Sequence, residues 1–411
     1  MNSVLVLGAG MVGVTTALAL QARGCQVVLI DRTEPGRETS YGNAGIIQAE
    51  AVEPYAMPRS LPELVAIALR RGNNVNWHLT ALPSHFIPLF KYFRNSAPSR
   101  HQEISRIYAG LISRALADHE ALIVVAGVES LVRRGGFYQA FRDPTALAHA
   151  TAEAERVSRE YGVASRILDG VALKQSEPNL LQTLAGAVHW TGAWSCTDPG
   201  SLVAGYADLF KSRGGSVMIG DAMTLELRGT SWSVKVASGS GRAEASQAVI
   251  ALGPWSNMLI RRFGMRGAMF RKRGYHQHFH TNMGPALPFM DVSNGAVLAP
   301  MRAGLRITSG AEIALHGAAQ TPVQLERAVV AARQLFAIGA PRENMPWVGD
   351  RPCMPDMLPV VGKVPRHSNL WVNFGHGHQG FTLGPTTAAL LADEITGLGT
   401  GMAALAPISR V

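Results

Sequence analysis

Short apolar runs that stop at glycine stand at both ends of the chain, each followed by a helical period. Ser3-Val-Leu-Val-Leu7 is unbroken apolar sequence halted by Gly8, the pattern of a buried strand. Val12 to Arg23 then reads as a helix terminated by Gly24. Gln26-Val-Val-Leu-Ile30 repeats the buried-strand pattern and closes at Asp31. Strand, helix and strand within about 30 residues have the size of a βαβ unit. The same grammar returns later. Gln247-Ala-Val-Ile-Ala-Leu252 stops at Gly253-Pro254, and Leu370-Trp-Val-Asn-Phe374 runs into a glycine-rich loop, Gly375 to Gly380, ahead of a helix from Leu383 to Ile395.

Between these ends the pattern is mixed. Leu61 to Arg71 has apolar residues at 61, 64, 65, 68 and 69, a helical period ending in two arginines. Residues 73 to 100 mix Trp77, Phe86, Phe90, Tyr92 and Phe93 with prolines and basic residues, and no element is assigned there. Ile104 to Ile123 is a strongly amphipathic helix. Thr145 to Glu160, Leu202 to Arg213 and Pro322 to Phe336 read as further helices, while 216 to 237 and 275 to 310 read as strands with glycine and proline turns. The fold class expected is α/β (α+β). A Rossmann-like nucleotide domain would be assembled from residues 1–85, 145–260 and 345–411. A substrate domain with a mixed or antiparallel sheet would be built from 86–144 and 261–344.

Composition narrows this picture. The chain has 411 residues, 47% apolar and 16% charged, enough for a sizeable core. Its net charge of +9 favours an anionic partner: a dinucleotide, a carboxylate substrate or an anionic membrane face. Nucleic acid is disfavoured, because no Lys/Arg block alternates with aromatics. Cys25, Cys196 and Cys353 are few, odd in number and far apart, which excludes a metal-ligand pattern and suits a reducing, cytoplasmic setting. Val4 to Leu20 is apolar and uncharged, but its three glycines argue against a signal peptide or a membrane span.

The chemistry starts at Gly8-Ala-Gly10-Met11-Val12-Gly13, between a strand and a helix. Gly8 permits the tight turn, Gly10 lets the backbone approach a pyrophosphate, and Gly13 allows close helix–strand packing. Asp31 follows about 20 positions on, where a carboxylate accepts a ribose hydroxyl. By themselves these features fit NAD as well as FAD. Thr39-Ser40-Tyr-Gly-Asn43-Ala44-Gly45 is a small-residue loop whose Ser40 and Asn43 can bond a phosphate or a flat ring.

Together with Asp31-Arg32, these segments resemble the D-amino-acid oxidase/dehydrogenase superfamily of flavoproteins. Asp198-Pro-Gly-Ser-Leu-Val, Ala251-Leu-Gly253-Pro-Trp255-Ser256 and Arg351-Pro-Cys-Met-Pro-Asp-Met-Leu-Pro-Val-Val-Gly362 extend the likeness, as does Gly375-His376-Gly377-His378-Gln379-Gly380. The likeness is nearest to bacterial D-amino-acid dehydrogenases. Residues 46–100 and 257–345 diverge and are expected to carry substrate choice. The resemblance implies non-covalent FAD held by the glycine triad, by Ile46 after the small-residue loop, and by the C-terminal loop.

It further implies oxidation of an amine, by hydride transfer from Cα to the flavin and hydrolysis of the imino product. A fixed cation would hold the substrate carboxylate. Arg302, in Ala299-Pro-Met-Arg302, is the leading candidate by resemblance, with Arg306 competing and Arg351 near the flavin. Tyr275 and His276, in Arg273-Gly-Tyr-His276, and His376 are further candidates for the catalytic end. The acceptor is expected to be a quinone or another electron carrier, with peripheral membrane contact through Leu61–Arg71 as an option. A glycine- or sarcosine-type oxidase using oxygen, an opine-oxidising subunit and a non-catalytic redox sensor stay open as alternatives.

Overall fold

The computed structural model describes residues 2–237, 241–399 and 403–407. Its first layer is an eight-stranded sheet. The central strands β1 (Ser3–Leu7), β2 (Gln26–Asp31), Gln247–Ile250 and Leu370–Phe374 run parallel, with Val4 opposite Gln247 and Ser3 opposite Gln26. Ser216–Arg228 joins β2 in parallel and carries two antiparallel strands outward, while Val360–Lys363 closes the other edge. The apolar runs read from sequence are the middle of this sheet, where β1 and Leu370–Phe374 bury nearly every side chain.

Helix α1 (Met11–Ala22) follows β1 and packs along the last helix, Gly380–Ile395. That last helix contains Pro385, which has no N–H to give the Phe381 carbonyl. His119 supplies the missing donor: its Nε2 lies 2.9 Å from Phe381 O, and its Nδ1 is 3.2 Å from the Tyr206 hydroxyl. Burial pushes this imidazole down to about 4, so it stays neutral.

The second layer is a ten-stranded sheet of mixed direction. Its strands come from 75–77, 137–141, 166–169, 186–190, 270–279, 289–291, 296–301, 304–308, 311–313 and 347–353. The inserted mixed sheet is therefore present, but the chain divides between the layers differently from the expected boundaries. Val75–Trp77, Arg166–Asp169, Gly186–Trp190 and Trp347–Cys353, all placed with the nucleotide domain by sequence, pair into the second sheet. Conversely, the helix Pro98–Ala126, placed with the substrate domain, packs against the last helix and the helix Pro199–Ser212, and its Ile104, Tyr108, Leu111 and Ile112 join the core beneath the first sheet. Sheet membership is settled by long-range pairing, which local periodicity does not carry.

Two helices lie over the gap between the layers: α2 (Leu61–Ala68), and α3 (Leu82–Asn95) within the stretch left unassigned above. Pro83 opens α3 and Pro88 interrupts it, which is why its sequence reads as irregular.

Candidate functional site

One cavity of about 1150 Å³ runs between the layers, from the glycine triad to the underside of α2 and α3. Ordinary small-molecule pockets hold roughly 300–1,000 Å³. This one has room for a dinucleotide and a second molecule.

At one end stand Gly8, Gly10, Met11 and Val12, with Asp31, Arg32, Ser40, Gly253 and Trp255. Gly8 has φ +108°, and a Cβ there would lie 2.4 Å from the Ala251 carbonyl. A Cβ on Gly13 would lie 1.7 Å from the Gly8 carbonyl. The turn and the close packing thus both require glycine. The Asp31 carboxylate accepts the Ala9 N–H at 2.6 Å and the Thr33 N–H, fixing the loop. Arg32 stacks over Trp255 at 4.3 Å and pairs with Glu38, forming a flat wall beyond the carboxylate. Ser40 and Asn43 are spent locally: Ser40 Oγ accepts the Met11 N–H, and Asn43 Oδ1 accepts the Gly45 N–H at 2.7 Å.

The other end is formed by the first turn of the last helix and by two paired strands of the second sheet. Gly377, His378, Gly380 and Phe381 face the cavity beside Lys272, Arg351 and Cys353. The Arg351 guanidinium lies across Gly274, where a side chain would collide with it. Its one hydrogen bond goes to the Gly310 carbonyl at 3.4 Å, and no carboxylate pairs with it among the described residues. Burial lowers its pKa. His376 bonds Thr387 at 2.9 Å, and burial pushes it down to about 3. His378 sits against the Tyr55 ring at 4.8 Å and is also pushed down to about 3, by burial first and then by Arg351 and Lys272. Both imidazoles are neutral.

The FAD dependent oxidoreductase family matches residues 3–394. The chain belongs to that family. It is 29% identical over 418 residues to a D-amino acid dehydrogenase of Dechloromonas aromatica, covering 96% of this chain and 97% of that one. It is 30% identical over 405 residues to a D-amino-acid oxidase of Bradyrhizobium diazoefficiens, covering 96% and 95%. Among solved structures, glycine oxidase from Geobacillus kaustophilus superposes with a TM-score of 0.74 at 19% identity, with full coverage of both chains. The protein is an FAD-dependent oxidoreductase. The glycine cradle, the Asp31 carboxylate and the length of the cavity fit that cofactor.

Several residues singled out by sequence stand away from this FAD cavity. Arg302 is exposed and borders a separate surface pocket with Arg133 and Thr197. Arg306 is buried, but its Nη1 donates to the Tyr41 and Asn43 carbonyls and its Nε to His278, so it pins the small-residue loop to the strand Gly304–Thr308. Tyr275 does border the cavity, but its hydroxyl is turned to the protein: it donates to Glu312 at 2.6 Å and accepts the Thr321 N–H, within a buried cluster that includes Arg273. His276 is stacked on Trp347 at 4.9 Å and held at about 2, chiefly by burial. Gly13, Gly45, Gly375 and Gln379 lie behind the lining, while Asn43, Ala44 and Ile46 reach it. Gln379 acts through a neighbour: its Nε2 donates to Gln48 at 2.6 Å, and Gln48 lines the cavity.

Sequence reasoning missed Lys272, Tyr55, Gln48 and Trp347, all of which line the cavity. Lys272 carried a faint signal as a charged residue beside the Arg273-Gly-Tyr motif. The others lie in loops or at a strand end and carried none.

Proposed function

We propose that this protein is an amino-acid dehydrogenase that oxidises a D-amino acid or a related secondary amine. The observation that carries the reading is Arg351, a guanidinium in the wall of the FAD cavity with no carboxylate among the described residues to pair with. A planar fork of N–H donors in such a place suits an α-carboxylate held through two parallel bonds. FAD, when bound, supplies the two-electron acceptor for the hydride that leaves Cα.

The chain orients and desolvates. Arg351 anchors the carboxylate. His378, kept neutral, can accept an N–H of the substrate amine without repelling it. Roof residues Leu64, Ile67, Leu82 and Leu89 exclude water. No protein base is required for the hydride step, because the amine binds as its free base, its proton already released to solvent.

The roof also supports a quinone-type acceptor at an anionic membrane surface. Helix α2 buries no residue fully, and it turns Leu61, Val65 and Leu69 outward while Leu64 and Ile67 face the cavity. Helix α3 does the same with Phe86, Ile87 and Phe90 outside against Leu82 and Leu89 inside. Leu61 is 73% exposed and Phe86 68%. Exposed Arg59, Arg70, Arg71, Lys91 and Arg94 flank them. Apolar side chains ringed by cations match an anionic lipid surface, and a lipid-soluble acceptor there would lie one helix away from the cavity. Among the described residues no helix is long and apolar enough to cross a membrane, so contact would be peripheral.

The test is anaerobic bleaching of the flavin by a panel of D- and L-amino acids, sarcosine, hydroxyprolines and opines, without NAD. Reduction by D-amino acids is expected. A flavin that no amine reduces overturns the reading. Peroxide release at air saturation would instead favour an oxidase.

A further inference from the structure

We propose that the substrate carries two carboxylates, one held by Arg351 and the other by Lys272. This rests on the amine-oxidising reading above and names its substrate class: acidic D-amino acids and N-(carboxyalkyl) amino acids.

Strands Phe270–Phe279 and Trp347–Cys353 pair antiparallel, with Lys272 directly opposite Arg351. Directly opposed residues share a face, with Cβ atoms about 4.5–5.5 Å apart, and like charges in that relation destabilise a sheet. Both side chains line the cavity. His378 senses both, since Arg351 and Lys272 each oppose its protonation.

The opposite face of the same strands pairs its cations. Arg273 reaches Glu312 at 3.3 Å and Asp350 at 3.9 Å, and Arg271 reaches Asp350 at 3.5 Å. Among the described residues the cavity face has no such partner. Lys272 contacts the Tyr92 hydroxyl at 3.4 Å and lies over the Tyr92 and Phe270 rings at 4.6 and 5.6 Å. These contacts aim the ammonium but do not neutralise it. The carboxylates that line the cavity, Asp31, Glu38 and Asp221, belong with the glycine triad and the strand beside β2, away from the two cations.

One substrate carboxylate, held by the Arg351 fork, would leave the ammonium unpaired under an apolar roof. Such an arrangement carries a desolvation penalty with no compensating pair. A second carboxylate removes the like-charge opposition and the unpaired charge together.

The holoenzyme is assayed anaerobically with D-glutamate and D-aspartate against D-norvaline and D-2-aminobutyrate. Dissociation constants of glutarate and butyrate are read separately from the perturbation of the flavin spectrum. The wild type is expected to favour the diacids in both readouts. In Lys272→Met, the diacid-to-monoacid ratio of kcat/KM and the glutarate-to-butyrate affinity ratio are each expected to fall about 10- to 100-fold, the range for losing a charged hydrogen bond. Lys272→Arg is expected to restore part of both ratios. Ratios that stay unchanged in Lys272→Met, or a wild type indifferent to the second carboxylate, overturn the inference. If neutral amino acids still bleach the flavin in that case, the amine-oxidising reading stands without it. If no amine bleaches the flavin, that reading falls, and the glutarate ratio alone decides whether the two cations form a diacid site.

Discussion

Replacing Gly13 with alanine tests whether the glycine triad is built for the cofactor or merely for the fold. The new methyl would lie 1.7 Å from the Gly8 carbonyl oxygen and 2.7 Å from its carbon, well inside the 3.0 Å floor of real contacts. Something must therefore shift by more than an ångström. Helix α1 is poorly placed to move, because Asn373 bonds Thr16 and Met11 packs tightly on Gly384. The turn at Gly8 to Gly10 yields instead. In the empty protein that turn can relax, but the bound pyrophosphate needs it in place, so the strain falls on cofactor binding. Overpacking of this kind amounts to about 1–3 kcal/mol, or roughly 5- to 150-fold in the FAD dissociation constant. The assay is FAD titration of the apoprotein by fluorescence quenching, alongside thermal unfolding. Gly24→Ala is the control: Gly24 has φ +79° with nothing within 4 Å of a new Cβ. It is expected to lose about 1–2 kcal/mol of stability with unchanged FAD affinity. A Gly13→Ala protein that binds FAD as tightly as the wild type would refute the reasoning.

Other consequences follow from the same geometry. Arg306→Met removes the donor to the Tyr41 and Asn43 carbonyls in a buried place, and is expected to cost about 2–4 kcal/mol in urea unfolding. Arg302→Met, on the surface, is expected to leave amine oxidation within about twofold of wild type, and a large loss would restore Arg302 to the site. Substituting Leu61, Val65, Phe86 and Phe90 together by Gln is expected to abolish sedimentation with phosphatidylglycerol vesicles while flavin content is retained; unchanged sedimentation rejects the membrane surface. His119, His276, His376 and His378 are all held below the ordinary histidine value, so unfolding takes up protons on them. Their stabilisation is complete above about pH 6.5 and is lost as pH falls toward 4 and below. His189 and His278 are lowered as well, while Glu50, pushed up to about 7 by burial, runs the other way between 4.5 and 7 together with the raised Asp31 and Glu177, three groups against six. The melting temperature is expected to fall from pH 6.5 to 4.5, and a flat profile would contradict the neutral assignments.

The nucleotide half of the site was legible because its signals are local. Gly8, Gly13 and Asp31 lie within one βαβ unit, and each owes its role to contacts inside that unit or to the strand beside it. The C-terminal loop was legible for the same reason. The substrate end was not, because it depends on register between strands far apart in the chain. Arg302 and Arg306 lie four residues apart on one hairpin, yet one is exposed and the other is consumed by backbone carbonyls. Arg351 was seen, but its opposite number Lys272 is 79 positions away and is brought there only by the strand pairing. Helix α3 was hidden by its two prolines, and with it one half of the roof of the cavity, whereas α2 lies inside the helical period read over Leu61 to Arg71.

In the proposed reaction Arg351 holds an amine's carboxylate while its Cα hydride leaves for FAD. The most direct measurement is anaerobic stopped-flow reduction of the flavin by a D-amino acid and its Cα-deuterated form, in wild type and Arg351→Met. The account predicts a primary isotope effect on the limiting rate, and a substrate dissociation constant raised at least about 10- to 100-fold by the substitution. A flavin that D-amino acids reduce equally well in both proteins would contradict it.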